Sequence, residues 1–307
     1  MKFADLIRLL LLATIWGSSF LFMRKAAPEF GPLGLILIRV GAAAVVLGPI
    51  IFISGKTKEV RSRLLDFSLL SLVAASAPFC LLAYSTLSLE AGFTSLINAT
   101  TPIFTAIVAM VWLGHRFTRS QYIGLVLGFV GVGVLSWDRL SFKEGGDGWA
   151  ILAALAASLC YGVAGNFTRH RMQDLPPQVV AAGNTVAASI MMLPLGLWQW
   201  PAKNPSTEAW VCALLLAIVC TAVAYLLFFK IISSASAMAT STVTFLIPIS
   251  AIFWGYLFLD ERLTLRLVSG MAISFLGTAM VIELIGRSKE EQPAAGHDGE
   301  KVEQNLE

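Results

Sequence analysis

The chain has 307 residues, of which 57% are hydrophobic and only 13% charged, and its mean hydropathy is +0.76. Soluble domains carry about 25% charged residues, so half that share cannot cover the surface of a compact body in water. A formal charge of +3, held in short clusters between long apolar runs, excludes a basic nucleic-acid groove and indicates a multi-spanning membrane protein.

A bilayer core of about 30 Å takes roughly 20 apolar residues per helix. Ten runs meet that length, at 6–23, 33–53, 67–89, 92–113, 120–137, 149–168, 178–198, 209–229, 237–258 and 267–285. In the first, Lys2 and Arg8 precede apolar residues as in a signal peptide, but the run is too long for an h-region and lacks a clear small-x-small cleavage site. It reads as an uncleaved first helix. Cys80, Cys160, Cys212 and Cys220 lie inside apolar runs without a CxxC pair, as buried free thiols with no metal or disulfide role. Trp112, Trp137, Trp149, Trp198, Trp200 and Trp210 stand at run ends, as an interfacial belt should.

Ten spans put both termini and the even-numbered loops on one side. That side carries fourteen of the 22 Lys and Arg residues and the other carries seven, which leaves Arg39, inside the second span. Basic loops stay in the cytoplasm, so both termini are expected there. From 287 to 307 the chain turns polar and acidic, and reads as a disordered cytosolic tail.

Shifting the chain by 146 residues lays Phe79–Ser136 over Tyr225–Ile282, with 13 identities in 58 positions. They include Thr94/Thr240, Ser95/Ser241, Pro102/Pro248, Arg116/Arg262, Thr118/Thr264, Gly124/Gly270 and Gly131/Gly277. At a shift of 145, Gly17 meets Gly162 and Pro32 meets Pro177. Each half then has five spans, and an odd number inserts the second half upside down. The expected fold is an all-α membrane protein, ten transmembrane helices as two inverted five-helix repeats, residues 5–138 and 148–285, an architecture suited to alternating access.

TIWGSSFLFMR in the first span, GPLGLILIR entering the second and LFLDERLT ending the ninth resemble the EamA-type drug/metabolite transporters. The resemblance covers residues 5–285 as two repeats and implies transport, with export as its direction. Two positions depart from that pattern: His115 stands where the first copy usually has Glu, and Ser19 where many members have Asn.

Proline inside a helix frees the carbonyl four residues earlier. Pro102 and Pro248 point in this way to Asn98 and Thr244, with Thr101 adjoining the first, as repeat-related parts of a midplane substrate site. Trp16 and Ser19 on the first span answer Tyr161 and Asn166 on the sixth; Ser76, Phe79 and Tyr84 on the third answer Thr221 and Tyr225 on the eighth. These would line a cavity of aromatic faces with a few donors. Helix packing uses the same residues, so both readings stand at this point. Arg39, seven positions past Pro32, is expected in a structural or gating role, although a buried Arg also suits a carboxylate or phosphate.

Span interiors hold no Asp or Glu, which disfavours coupling through a first-helix carboxylate, and no cluster of His, Asp and Glu supports an intramembrane enzyme. The expectation is a secondary transporter of the cell inner membrane that exports a small-molecule substrate, amino acids or related compounds, without a cofactor or metal and as a monomer or homodimer. Efflux of amphipathic drug-like compounds is the alternative within transport, and a membrane sensor or scaffold acting through the tail is the alternative outside it.

Overall fold

The computed structural model describes residues 3–114, 116–234 and 243–283, and every regular element among them is helical. His115, the tail at 287–307 and the first residues of the ninth predicted span lie outside the described residues. In chain order the helices are α1 (Phe3–Leu47), α2 (Pro49–Ile53), α3 (Thr57–Ser62), α4 (Leu64–Ser71), α5 (Ala77–Ser85), α6 (Ala91–Asn98) and α7 (Thr101–Leu113). They continue as α8 (Arg119–Ser136), α9 (Gly148–Arg171), α10 (Pro177–Trp198), α11 (Thr207–Ala217), α12 (Ala224–Ser234), α13 (Val243–Leu259) and α14 (Leu265–Val281). Among the described residues seven helical stretches are long and apolar enough to cross a membrane, and α13 and α14 are shorter apolar helices.

The first of those stretches is two arms. Gly31 has φ 68° and ψ 158°, a conformation without steric cost only for glycine. Arg39 Nη1 lies 3.8 Å from Met23 Sδ although 16 residues separate them, where a straight helix would hold them about 24 Å apart. The chain therefore folds back at Gly31 as a hairpin. The first arm runs on through Phe30 rather than ending at the basic pair, because Arg24 donates to the Thr86 carbonyl at 2.7 Å and Lys25 pairs with Glu208. Both charges are met at the end of the bundle, so the helix has no reason to stop there.

Small residues bring the helices together. A Cβ on Gly124 would come within 2.6 Å of the Gly277 carbonyl oxygen, and one on Gly131 within 2.6 Å of the Ser274 nitrogen. Gly270 faces Gly131 and Leu135, so α8 and α14 run antiparallel in close contact. Membrane helices gain little from mutual hydrophobicity and associate where backbones approach closely. The contact is reciprocal: Gly124 meets Gly277, and their repeat counterparts Gly270 and Gly131 meet one another. Gly17 packs on Ser250 of α13 while its counterpart Gly162 packs on Phe104 of α7, the residue 146 before Ser250.

Two wide turns of π type interrupt the apolar stretches, at Leu72–Ser76 and Ile218–Val223, and they begin 146 residues apart. In the first, Pro78 has no N–H to offer a carbonyl four residues back. In the second, Thr221 Oγ1 donates to the Leu216 carbonyl at 2.9 Å, five residues earlier. Turns of this kind are rare and gather at functional sites. The repeat identity Thr118/Thr264 is a pair of N-caps, accepting from the backbone N–H of Gln121 at 3.2 Å and of Leu267 at 3.1 Å.

The loops separate into two ends. Residues near Arg24–Phe30, Thr86–Ala91, Arg139, Ser206 and Glu261 bond to one another at one end. At the other, Arg63 holds Asp174 through two bonds of 2.8 and 2.6 Å, Arg171 holds Asp66 at 3.0 Å, and Gln121 donates to the Val281 carbonyl at 3.2 Å. The run-end tryptophans are exposed on the outside of the bundle.

The glycine contact gives a direct expectation. Gly277→Val would drive a side chain into the backbone of Gly128, whereas Gly133 has open space around it. Overpacking of this kind costs about 1–3 kcal/mol. Thermal unfolding in detergent should show a lowered midpoint for Gly277→Val and an unchanged one for Gly133→Val; equal midpoints would remove the packing argument.

Candidate functional site

Arg39 occupies the middle of the bundle. It is 5% exposed. Its Nε donates to Thr221 Oγ1 at 3.0 Å, and its Cζ lies 3.5 Å from the centroid of the Phe79 ring. The phenols of Tyr161 and Tyr225 and the thiols of Cys80 and Cys220 are within electrostatic reach of the charge. The rings of Phe79 and Tyr161 sit 6.5 Å apart in an edge arrangement. First-half residues Met23, Arg39 and Phe79 thus face second-half residues Tyr161, Thr221 and Tyr225 around one guanidinium. Thr221 is placed by the wide turn of the eighth predicted span, a feature with no marker in that segment.

The other candidates divide. Trp16 is half-buried against Phe228 at 5.3 Å, and the Ser19 hydroxyl is spent on the Trp16 carbonyl. Asn166 is buried and donates through Nδ2 to the carbonyls of Thr105 and Gly162, both at 2.9 Å, so it ties α9 to α7. Tyr225 is half-buried and stacks on Phe229 at 6.1 Å. Tyr84 is 44% exposed on the outside of the bundle, away from the Arg39 cluster. Trp254 donates from its indole to the Thr14 carbonyl at 3.2 Å, an interhelical bond.

The two prolines act differently. Before Pro102 the helix stops: Ala99 and Thr100 form a turn between α6 and α7. The Asn98 carbonyl, expected to be free, accepts from Thr101 Oγ1 at 2.7 Å. A neighbouring hydroxyl has taken the bond that the proline removed. The Asn98 Oδ1 atom, by contrast, is buried without a partner, as are the hydroxyls of Ser76 and Ser95. Pro248 lies buried inside the continuous helix α13, with Thr244 half-buried one turn earlier.

At one end of the bundle a cavity of about 330 Å³ is lined by Glu90, Arg139, Glu261, Arg262, Thr264 and Arg266 among others. Arg139 holds Glu90 through two bonds of 2.6 Å. Glu261 reaches from the second half to the start of α6, where it accepts from the N–H of Ala91 at 2.7 Å and of Gly92 at 3.2 Å. A carboxylate at a helix N-terminus satisfies donors that have no partner in the helix. This cap was readable only as the glutamate of the LFLDERLT run; the helix it serves is 170 residues away.

Burial raises the Glu261 carboxyl above its ordinary value, a direction that Glu90 shares, while the two N–H groups and Arg24 pull the other way. A carboxyl raised on folding contributes stability that is complete below its ordinary value and is lost as pH rises through the folded one. Glu261→Gln keeps an uncharged cap throughout. The thermal midpoint of the native chain relative to Glu261→Gln should therefore fall as pH rises above the ordinary glutamate value. A rise with pH there would contradict the burial argument.

The EamA-like transporter family model matches residues 5–137 and again 148–283. The uncharacterized transporter YoaV of Bacillus subtilis is 22% identical over 278 residues, covering 90% of this chain and 95% of its own. The probable terminal-alkyne amino-acid exporter of Streptantibioticus cattleyicolor is 25% identical over 288 residues, covering 92% of this chain and 95% of its own. A crystal structure shares the fold with a TM-score of 0.65 at 15% identity, over 94% of this chain and 100% of that one.

Proposed function

This chain belongs to the EamA-like transporter family, and we propose that it is a secondary transporter that exports amino acids or related small metabolites across the cytoplasmic membrane. In this reading ten spans form two inverted five-helix halves, residues 5–138 and 148–285, with both termini in the cytoplasm. The observation that carries it is the reciprocal contact between α8 and α14. Helices related by the repeat run antiparallel and exchange the same glycines, Gly124 with Gly277 and Gly270 with Gly131. Antiparallel copies related by a two-fold rotation are what an inverted repeat requires. Alternate loops at opposite ends of the bundle, and the bias of Lys and Arg toward one of them, support the same arrangement.

Substrate passes between the halves, past the Arg39 cluster and the break at Ala99–Thr100. The name of the Streptantibioticus relative supports an amino-acid cargo. A buried cation with no carboxylate paired to it among the described residues disfavours cationic drug-like amphipaths.

Labelling of single cysteines placed at Arg116 and Arg262 should reach them from opposite faces of the membrane. Reaction of both from one face would end the inverted-repeat reading. In liposomes, labelled amino acids should exchange in counterflow; saturable movement of lipophilic cations with no amino-acid exchange would favour drug efflux instead. Asn98→Leu, which removes an amide whose buried oxygen has no partner, should lower counterflow severalfold at normal expression. Unchanged rates would place the path elsewhere.

A further inference from the structure

A guanidinium keeps its charge in any protein environment and has five N–H donors. At Arg39 one donor goes to the Thr221 hydroxyl and one faces the Met23 sulfur, a weak acceptor. Among the described residues no carboxylate and no backbone carbonyl takes the rest. The groups around it, the Phe79 ring, two phenols and two thiols, are neutral in their ordinary states. A buried charge without a counter-charge is costly. An arginine that served packing alone would be paired, as Arg63 and Arg139 are in this same chain.

The side chain is also held in one attitude. Thr221 Oγ1 gives its proton to the Leu216 carbonyl at 2.9 Å, so a lone pair is left facing Arg39 Nε. The wide turn at Ile218–Val223 sets that hydroxyl, and Phe79 supports the flat face of the guanidinium. With Nε fixed, the remaining donors lie along the Nη1/Nη2 edge, the edge that matches both oxygens of a carboxylate. One turn before Phe79, Ser76 has a buried hydroxyl without a partner.

We propose that Arg39 is the carboxylate anchor of the solute site, so that the transported solute is a small carboxylic acid, with its anionic end on the Nη1/Nη2 edge and its apolar body against Phe79 and Tyr161. This rests on the transporter reading above and narrows it to solutes with a free carboxylate. It replaces the structural or gating role that the sequence suggested for Arg39. Thr221 is the positioning residue for the guanidinium.

The test uses the purified full chain in detergent and in liposomes, with L-phenylalanine, L-leucine and L-threonine each compared with its α-amide. Competition for counterflow and ligand-induced thermal stabilisation should both favour the acids by at least tenfold. Arg39→Gln should abolish that preference, and Arg39→Lys, which keeps the charge but loses the two-pronged edge, should keep a weakened one. Thr221→Val keeps the shape and removes the acceptor for Nε, so it should weaken acids severalfold and leave amides unchanged; it carries the test if Arg39→Gln fails to fold. Amides equal to acids in the native chain, or full preference in Arg39→Gln, would overturn the anchor while the transporter reading stands. Movement of no solute of any class by the native chain would overturn the transporter reading itself, and the anchor with it.

Discussion

Close backbone approach between the two halves is the constraint on which this structure rests. In a bilayer the lipid is as apolar as the helices, so burial alone does not join them. Contact between α8 and α14 depends on Gly124, Gly131, Gly270 and Gly277, where any Cβ would meet backbone or Cβ atoms of the facing helix. Because the contact is reciprocal, the same sequence feature serves both sides of it. Gly17 against Ser250 and Gly162 against Phe104 repeat the logic further along the bundle.

With the halves joined this way, polar groups inside the bundle stand out. Asn166, Ser158 and Thr221 all bond to backbone carbonyls across or within helices, and their roles are structural or orienting. Asn98, Ser76 and Ser95 keep unpartnered atoms in the interior. Buried polar groups without partners are costly and uncommon, and Ser76 stands on the same predicted span as the ring beneath Arg39; Ser136, Asn184, Ser274 and Thr278 keep such atoms on other spans. The wide turns at Leu72–Ser76 and Ile218–Val223 add a second irregularity that the two halves share.

The ends of the bundle use a different chemistry. Arg139 with Glu90, Lys25 with Glu208 and Arg266 with Asp138 gather at one end, and Arg63 with Asp174 and Arg171 with Asp66 at the other. Most of these pairs join the first half to the second. Exposed pairs of this kind contribute little stability each. At the first of these ends Glu261 caps a helix of the opposite half.

Composition and periodicity alone established the helical membrane class and the duplication, because a span must be apolar over its whole length and a repeat leaves matching Pro, Gly and Thr positions. The repeat marked Thr118 and Thr264 as a matched pair, and the structure gave them their role as caps on the next turn of their own helices. Tertiary structure decided what depends on distant partners. Asn166 and Tyr161 look alike as polar or aromatic residues on one span, yet one is consumed by two carbonyls and the other faces Arg39. Tyr84 differs from Phe79 only in the direction it faces, outward rather than inward. The reversal at Gly31, the hydroxyl that takes the Asn98 carbonyl and the convergence of both halves on one guanidinium are relations between segments, and a single strand of letters carries the residues but not the distances between them.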